Sequence, residues 1–257
     1  DPQIRITGTT PFESGCDGVP ATGTVYTSSE VEPHVAVDPG NPNHLVAAWQ
    51  QDRWSDGSAR GLRSAVSYDG GRTWTVSAAA FTRCTGGTPA NGGNYVRASD
   101  PWVAIGPSGV TWTIGITTGD AASATASAVL VARSPDGGLT WDPPVTLIRD
   151  QGGPLNDKES MSADPTDPRY AYAIWDRLDG SFGPTVFSRT TDSGATWESP
   201  RAIFDPGLLR QTINNQVVVL PDGTLVASFT RLNTTLQPAA TLMAMRSTDK
   251  GVTWSQP

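Results

Sequence analysis

The stretch that decides the fold is Ser-Tyr-Asp-Gly-Gly-Arg-Thr-Trp at residues 67–74. The chain repeats it as SPDGGLTW at 134–141, TTDSGATW at 190–197 and STDKGVTW at 247–254. Each copy follows the pattern Ser/Thr-x-Asp-x-Gly-x-Thr-Trp. The aspartate can accept hydrogen bonds from the N–H groups of a tight turn, and the glycine can adopt a positive φ without a Cβ clash. The sequence therefore predicts four copies of one turn, here called the box turns, between antiparallel strands.

The spacing of the box turns indicates what is repeated. Their structural residues are predicted to be Asp69, Asp136, Asp192 and Asp249 in the turns, and Trp74, Trp141, Trp197 and Trp254 as packing groups between sheets. The tryptophans are separated by 67, 56 and 57 residues, and a second marker, Pro39, Pro107, Pro165 and Pro221, keeps nearly the same step. This period suits one four-stranded sheet with its loops. An all-β fold is predicted, a β-propeller of four-stranded antiparallel blades.

In its box turns the chain resembles the Asp-box (BNR repeat) proteins, whose best-known members are sialidases, over roughly residues 31–257. The resemblance implies that each box turn joins the third and fourth strands of a blade, on the face away from the active site. It implies a scaffold role for these residues. It does not select one function, because the motif occurs in hydrolases, lyases and non-catalytic binding propellers.

The predicted domain organisation is a single propeller over residues 1–257. It has a leader at 1–30 and blades at about 31–85, 98–150, 157–205 and 213–257. Blade four shows only three strands, so a leader strand at Gln3–Thr7 is predicted to complete it or to pair with a partner. Since sialidases have six blades, two interpretations are open: a complete small propeller, or part of a larger six-bladed one.

Composition restricts the partners and the compartment. A net charge of −7 and a pI near 4.7 argue against nucleic-acid or anionic-membrane binding. No run approaches the roughly 18 apolar residues of a membrane helix, so no membrane insertion is expected. Cys16 and Cys84 lie in irregular segments, and they are predicted to form a disulfide, with two unpaired thiols as the alternative. The disulfide indicates a secreted or extracytoplasmic protein; oligomeric state stays open.

The candidate site is predicted on the face opposite the box turns, where the loops are polar. The candidate catalytic residues are Glu32, Asp100 and Glu159, which recur at one repeat position with Asn215 in the fourth copy, together with Asp52 and His34. The candidate substrate-binding residues are Arg53, Arg97, Arg177 and Arg231. Converging carboxylates cleave glycosidic bonds, and planar arginine forks suit a carboxylated sugar. The alternative is that each acid pairs with an arginine of its own or a neighbouring blade.

Other chemistries lack their motifs. With only His34 and His44 and no paired Cys/His cluster, a metal site is not expected, and no cofactor is implied. The early Phe/Tyr-Arg-Ile-Pro motif of sialidases has its nearest match at residues 3–7, without the aromatic residue or the proline, and no tyrosine follows Tyr172. The first functional hypothesis is a sialidase-like glycoside hydrolase or lyase acting on an acidic glycan. The alternative is a non-catalytic propeller that binds a glycan or a protein.

Overall fold

The computed structural model describes residues 3–18, 23–120, 122–235 and 239–257. Within these ranges the protein is built from antiparallel β-sheets, and its one helical segment is a 3-10 turn at Arg83–Thr85. No helix in the described ranges has the length and apolar character needed to cross a membrane. The predicted all-β class is therefore confirmed.

The strands fall into four consecutive antiparallel groups, here called sheet units one to four. Unit one contains β1 (Val25–Asp38), β2 (Asn41–Trp54), β3 (Ala59–Ser67) and β4 (Thr75–Ser77). Unit two contains β5 (Tyr95–Ile105), β6 (Thr111–Asp120), β7 (Ser127–Ser134) and β8 (Val145–Asp150). Unit three contains β9 (Leu155–Ala163), β10 (Ala171–Leu178), β11 (Thr185–Thr190) and β12 (Arg201–Phe204). Unit four contains β13 (Arg210–Val219), β14 (Leu225–Asn233) and β15 (Ala240–Ser247).

Each box turn is closed by its own aspartate. Asp69 Oδ1 accepts hydrogen bonds from the backbone N–H groups of Arg72 at 2.9 Å and Thr73 at 2.8 Å. The Ser67 hydroxyl accepts from the N–H of Gly71, whose φ of 86° requires a residue without a Cβ penalty. Asp136, Asp192 and Asp249 each accept from the N–H of the threonine four residues later, and the serine or threonine two residues before each of them accepts from the glycine N–H. The turns are local structures that the eight-residue motif specifies by itself.

The core lies between the faces of neighbouring units. Val46 and Val66 of unit one pack against Val103 and Ile105 of unit two. Trp112 and Val131 of unit two share a cluster with Ala173 and Trp175 of unit three, which in turn contacts unit four through Tyr172 and Phe187 against Val217 and Leu225. Three of the box tryptophans, Trp141, Trp197 and Trp254, pack at the margins of these clusters. Successive units are thus held together by apolar burial.

The leader does not do what the sequence predicts. Gln3–Thr7 is irregular, and none of the described strands pairs with it, so it does not complete unit four in this structure; its pairing with a partner stays a prediction. The leader is tied to unit one instead, because Thr10 donates to Asp52 at 2.5 Å and Cys16 is bonded to Cys84. The predicted disulfide is present, and it joins residues 68 positions apart. The number of blades and the closure of the ring stay predictions.

Candidate functional site

The first strand of every sheet unit bulges at one equivalent point. Two residues of the first strand stand opposite one residue of the second: 32–33 opposite Trp49, 100–101 opposite Gly115, 158–159 opposite Trp175, and 214–215 opposite Phe229. The leading residue of each pair has a left-handed backbone, with φ of 51°, 52°, 48° and 58°. Such bulges re-aim side chains and recur next to active sites.

The bulges correct the predicted equivalence of the acidic residues. Glu32 and Asp100 occupy the left-handed position, but the third unit places Lys158 there. Glu159 stands one residue later, at the position of Pro33 and Pro101. The predicted equivalence of Glu159 and Asn215 with Glu32 and Asp100 was therefore wrong by one residue in units three and four. Glu159 consequently takes a direction different from that of Glu32, and it is buried, whereas Glu32 is exposed.

The four bulges surround an open cavity of about 520 Å³. Its lining comes from residues 32–34, 100–102, 158–159 and 214–216, one segment from each unit. Four of the predicted site residues, Glu32, His34, Asp100 and Glu159, therefore meet in one place. Sequence reasoning missed Lys158 and Trp102 as members of the lining. A ligand in this cavity would contact all four sheet units.

Glu32, Asp100 and Lys158 form a connected charge network. Lys158 Nζ donates to Asp100 Oδ2 at 2.5 Å, and the Ser99 hydroxyl donates to Asp100 Oδ1 at 2.5 Å. Burial acts to raise the pKa of Asp100, but the hydrogen bonds from Lys158, Ser99 and Glu32 outweigh it, so that the pKa lies below its ordinary value. Partial burial of the Glu32 carboxyl group raises its pKa, and its hydrogen bond to Asp100 and the charge of Asp100 raise it further. The pair therefore holds one proton on Glu32 more readily than on Asp100.

Glu159 is the most unusual acid of the cavity. It is only 4% exposed, and neither carboxyl oxygen has a hydrogen-bond partner within the described part of the chain. Burial raises the pKa of Glu159 well above its ordinary value, and the charge of Asp100 adds to this effect. Glu159 therefore holds its proton more readily than an ordinary glutamate does.

A second buried acid lies behind the wall of the cavity. Asp176 is completely buried, and its Oδ1 accepts a hydrogen bond from Asn215 Nδ2 at 3.0 Å. Burial raises the pKa of Asp176 to about 8, with a further contribution from the charge of Asp157. Asn215 lines the cavity, so the protonated Asp176 supports a cavity residue from behind. A carboxylate directly after the apolar run 171–175 is the sequence signal that could have revealed it.

His34 and Trp102 form a flat aromatic wall. Their rings stack with centroids 3.8 Å apart and planes 23° apart. Burial lowers the pKa of His34 to about 4, so the ring is neutral at pH 7. Its Nδ1 accepts a hydrogen bond from the Val103 N–H at 3.2 Å, which leaves the proton on Nε2. His34 is thus a fixed hydrogen-bond donor and a poor general base, in contrast to the role predicted for it.

The remaining predicted residues lie elsewhere. Asp52 is completely buried under the leader, where it accepts hydrogen bonds from Thr10 and from the Ser28 N–H, so it is a structural anchor. Arg177 forms a two-point ion pair with Asp150 at 2.9 and 2.6 Å. This is the arginine–acid pairing that the alternative interpretation predicts.

The other predicted arginines also miss the cavity. Arg97 pairs with Asp56 at 2.7 Å and lies over the Trp54 ring, while Arg53 donates to Gln50 at 2.6 Å. Arg231, in β14, is not part of the lining either. Lys158 is the one cation among the described residues that line the cavity. The predicted arginine grip on a sugar carboxylate is therefore absent from this lining.

The fold is similar to that of known carbohydrate-active propellers. An α-L-arabinanase from Penicillium chrysogenum, solved with arabinobiose, superposes with a TM-score of 0.62 at 17% identity, over 86% of this chain and 63% of that enzyme. A Hadza microbial sialidase gives 0.60 at 20% identity, over 89% and 46%. A Trypanosoma rangeli sialidase solved with sialic acid gives 0.55 at 17%, over 98% and 40%.

These similarities extend over only part of the known enzymes. The chain spans between 40% and 63% of the length of the three structures. No family model matches the sequence, and no curated protein matches it. At these identities the likeness establishes the fold, an antiparallel all-β architecture similar to the sialidase and arabinanase propellers.

Proposed function

We propose that the cavity binds a neutral sugar chain and cleaves a glycosidic bond. The observation that carries this proposal is the contrast between two acids of one cavity: Glu159 is 4% exposed and its carboxyl oxygens have no partner among the described residues, whereas Asp100 accepts hydrogen bonds from Lys158 and Ser99. These surroundings raise the pKa of Glu159 and lower that of Asp100. Environments that push the pKa values of two carboxyl groups apart separate a proton donor from an ionised partner. Glycosidic cleavage requires this division of roles.

The roles of Glu159 and Asp100 follow from the opposite directions in which their pKa values are shifted. Glu159 would donate its proton to the leaving oxygen of the scissile bond. Asp100, kept ionised by Lys158 and Ser99, would stabilise the positive charge that develops at the anomeric carbon, where a water molecule would add and release the proton that restores the Glu159 acid. The His34–Trp102 wall would contact a sugar ring, with His34 Nε2–H donating to a hydroxyl group. Every group named here lines the cavity except Ser99.

The cavity's charge favours a neutral substrate over the acidic glycan expected from the sequence. Its one lysine is already paired with Asp100 at 2.5 Å, which leaves no cation of the described lining for a sugar carboxylate. Arabinobiose, the ligand of the similar arabinanase, is a neutral disaccharide. Uncharged pentose or hexose chains therefore fit the lining better than sialosides or uronic-acid glycans.

The alternative is binding without turnover. One observation favours it: both oxygens of Asp100 are occupied, by Ser99 and by Lys158, before any ligand arrives. A site that only binds sugars needs neither a free carboxylate nor a proton donor. The two functions differ in whether a bound sugar is cleaved.

The experiment compares the wild-type chain with Glu159→Gln, which replaces the carboxyl group by an amide of the same shape that cannot act as an acid. Arabinan and other neutral oligosaccharides, sialosides and uronic-acid glycans are assayed for reducing-sugar release and, by calorimetry, for binding. General acid catalysis contributes about 10²–10⁴-fold, so cleavage should fall by that factor while binding persists. Glu198→Gln, at an exposed acid paired with Arg189, is the matched control.

Three outcomes decide between the interpretations. Equal cleavage by wild type and Glu159→Gln would exclude Glu159 as the acid. Binding of neutral sugars by wild type with no cleavage would establish the binding function. Preferential binding of sialosides would contradict the proposed neutral substrate.

The disulfide supports a proposal for the compartment. A Cys16–Cys84 bond persists in oxidising environments and is rare in the cytosol. We therefore propose that the protein acts outside the cytoplasm, and mass spectrometry of the protein isolated from its source, with free thiols alkylated, tests this. Two alkylated cysteines would contradict it.

A further inference from the structure

Gln50 lies beneath the cavity and connects two of its ionisable groups, Glu32 and Asp100. It is fully buried in β2, next to Trp49, which faces the first bulge. Its side-chain Nε2 donates one hydrogen bond to Glu32 Oε2 and a second to Ser99 Oγ at 3.0 Å. The Ser99 hydroxyl in turn donates a hydrogen bond to Asp100 Oδ1 at 2.5 Å. One amide therefore contacts Glu32 directly and Asp100 through one hydroxyl group.

The orientation of this amide is determined by its partners. The single proton of the Ser99 hydroxyl is used in the hydrogen bond to Asp100. Ser99 Oγ must therefore accept the hydrogen bond from the Gln50 side chain. The NH₂ end of Gln50 therefore faces Ser99 and Glu32. Arg53 Nη1 donates to Gln50 Oε1 at 2.6 Å and holds the opposite end. All three hydrogen-bonding groups are satisfied in only this orientation.

We propose that Gln50 is a positioning residue that holds the Glu32 and Asp100 carboxyl groups as one proton-sharing pair at the cavity. This proposal rests on the proposed function, in which Asp100 acts as the ionised partner of Glu159. Gln50 contacts no cavity ligand itself, because it is absent from the lining. Its two N–H donors stabilise the oxygens of Glu32 and, through Ser99, of Asp100 in their charged forms.

Other charged and titratable groups around the pair come from two strands. Lys158, Asp157 and Glu159 belong to β9, and Arg53 belongs to β2. A substitution at position 50 leaves these residues in the chain, but Gln50→Met also removes the acceptor of Arg53 Nη1. The neighbouring Gln51 supplies a matched control. It is also buried and donates to Glu30 at 3.1 Å and to Asp52 at 3.0 Å, away from the cavity lining.

The test is a carboxyl titration by ¹³C NMR of the full chain as wild type, Gln50→Met and Gln51→Met. Loss of a hydrogen bond to a charged group shifts a titration by about one pH unit. Glu32 is therefore expected to titrate about one unit higher in Gln50→Met and at its wild-type pH in Gln51→Met. An unchanged Glu32 titration in Gln50→Met, or an equal shift in Gln51→Met, would overturn the proposal.

A second variant covers the case in which Gln50→Met does not fold. Ser99→Ala removes the hydroxyl between Gln50 and Asp100, and it is expected to raise the pH at which Asp100 titrates; an unchanged value would refute the bridge. These measurements need no substrate. Their failure is therefore distinguishable from failure of the cleavage assay, which would leave the titrations unaffected.

Discussion

Asp176→Asn is predicted to stabilise the protein at neutral pH far more than at acidic pH. Asp176 is fully buried, and its Oδ2 has no hydrogen-bond partner within the described residues. Burial raises its pKa from 3.8 to about 8. Between these values the folded protein keeps a proton that the unfolded chain has lost. The stability contributed by this proton is complete below about pH 4, and it is lost as the pH rises towards 8.

The magnitude follows from the size of the shift. Each pH unit between the two pKa values costs about 1.4 kcal/mol of folding free energy. Over the two units from pH 5 to pH 7, the wild type should lose about 3 kcal/mol through this group. Asparagine keeps an acceptor oxygen for Asn215 and has no proton to lose, so the variant should escape that loss. About 3 kcal/mol is an upper value, because relaxation around a buried charge reduces it.

The assay is urea unfolding at pH 5 and pH 7, followed by the fluorescence of the nine tryptophans. Asp164→Asn is the matched control, since Asp164 is equally buried. Burial acts to raise the pKa of Asp164, but hydrogen bonds from Lys250, Thr166 and Tyr172 lower it below its ordinary value. Its effect should therefore be the same at both pH values. If Asp176→Asn also differs from wild type by the same free energy of unfolding at pH 5 and at pH 7, the reasoning is refuted.

Three other perturbations have defined outcomes. Asp136→Ala leaves the Thr140 N–H without its 2.9 Å partner, so the melting temperature should fall by a few degrees without loss of sugar binding; lost binding at an unchanged melting temperature would place the box turns at the functional face. Cys84→Ser opens a link across 68 residues and should lower the free energy of unfolding by about 4 kcal/mol; an unchanged urea midpoint would contradict this. Lys158→Met removes the ion pair that keeps the pKa of Asp100 low, so the acid limb of the cleavage profile should move to higher pH, and an unmoved limb would exclude that role.

The box turns were predictable because their contacts are local. Asp69 bonds to groups three and four residues away, so eight residues contain the whole structure. The packing of neighbouring units against each other was predicted from the regular spacing of the box tryptophans. The path of the leader was not predictable in this way. It depends on Cys84 and Asp52, which lie far from the leader in sequence.

The candidate site was predictable as a region and not in its chemistry. Glu32, Asp100 and Glu159 were predicted to lie together, and they line one cavity, but a bulge shifts the register by one residue without any change in composition, so Glu159 could not be distinguished from Glu32. The predicted role of Arg177 failed for a related reason. Its partner Asp150 belongs to the preceding sheet unit, and sequence spacing does not show contacts across units.

The four bulges also determine how the cavity could be redesigned. A left-handed backbone costs an ordinary side chain about 1–2 kcal/mol, and asparagine and aspartate tolerate it best. Asp100 and Asn214 therefore suit their positions, whereas Glu32 and Lys158 occupy theirs against the backbone preference. Asparagine at either position should strengthen the sheet while it changes the charge of the cavity. The four left-handed bulge positions could therefore be substituted to change the specificity of the cavity without rebuilding a strand.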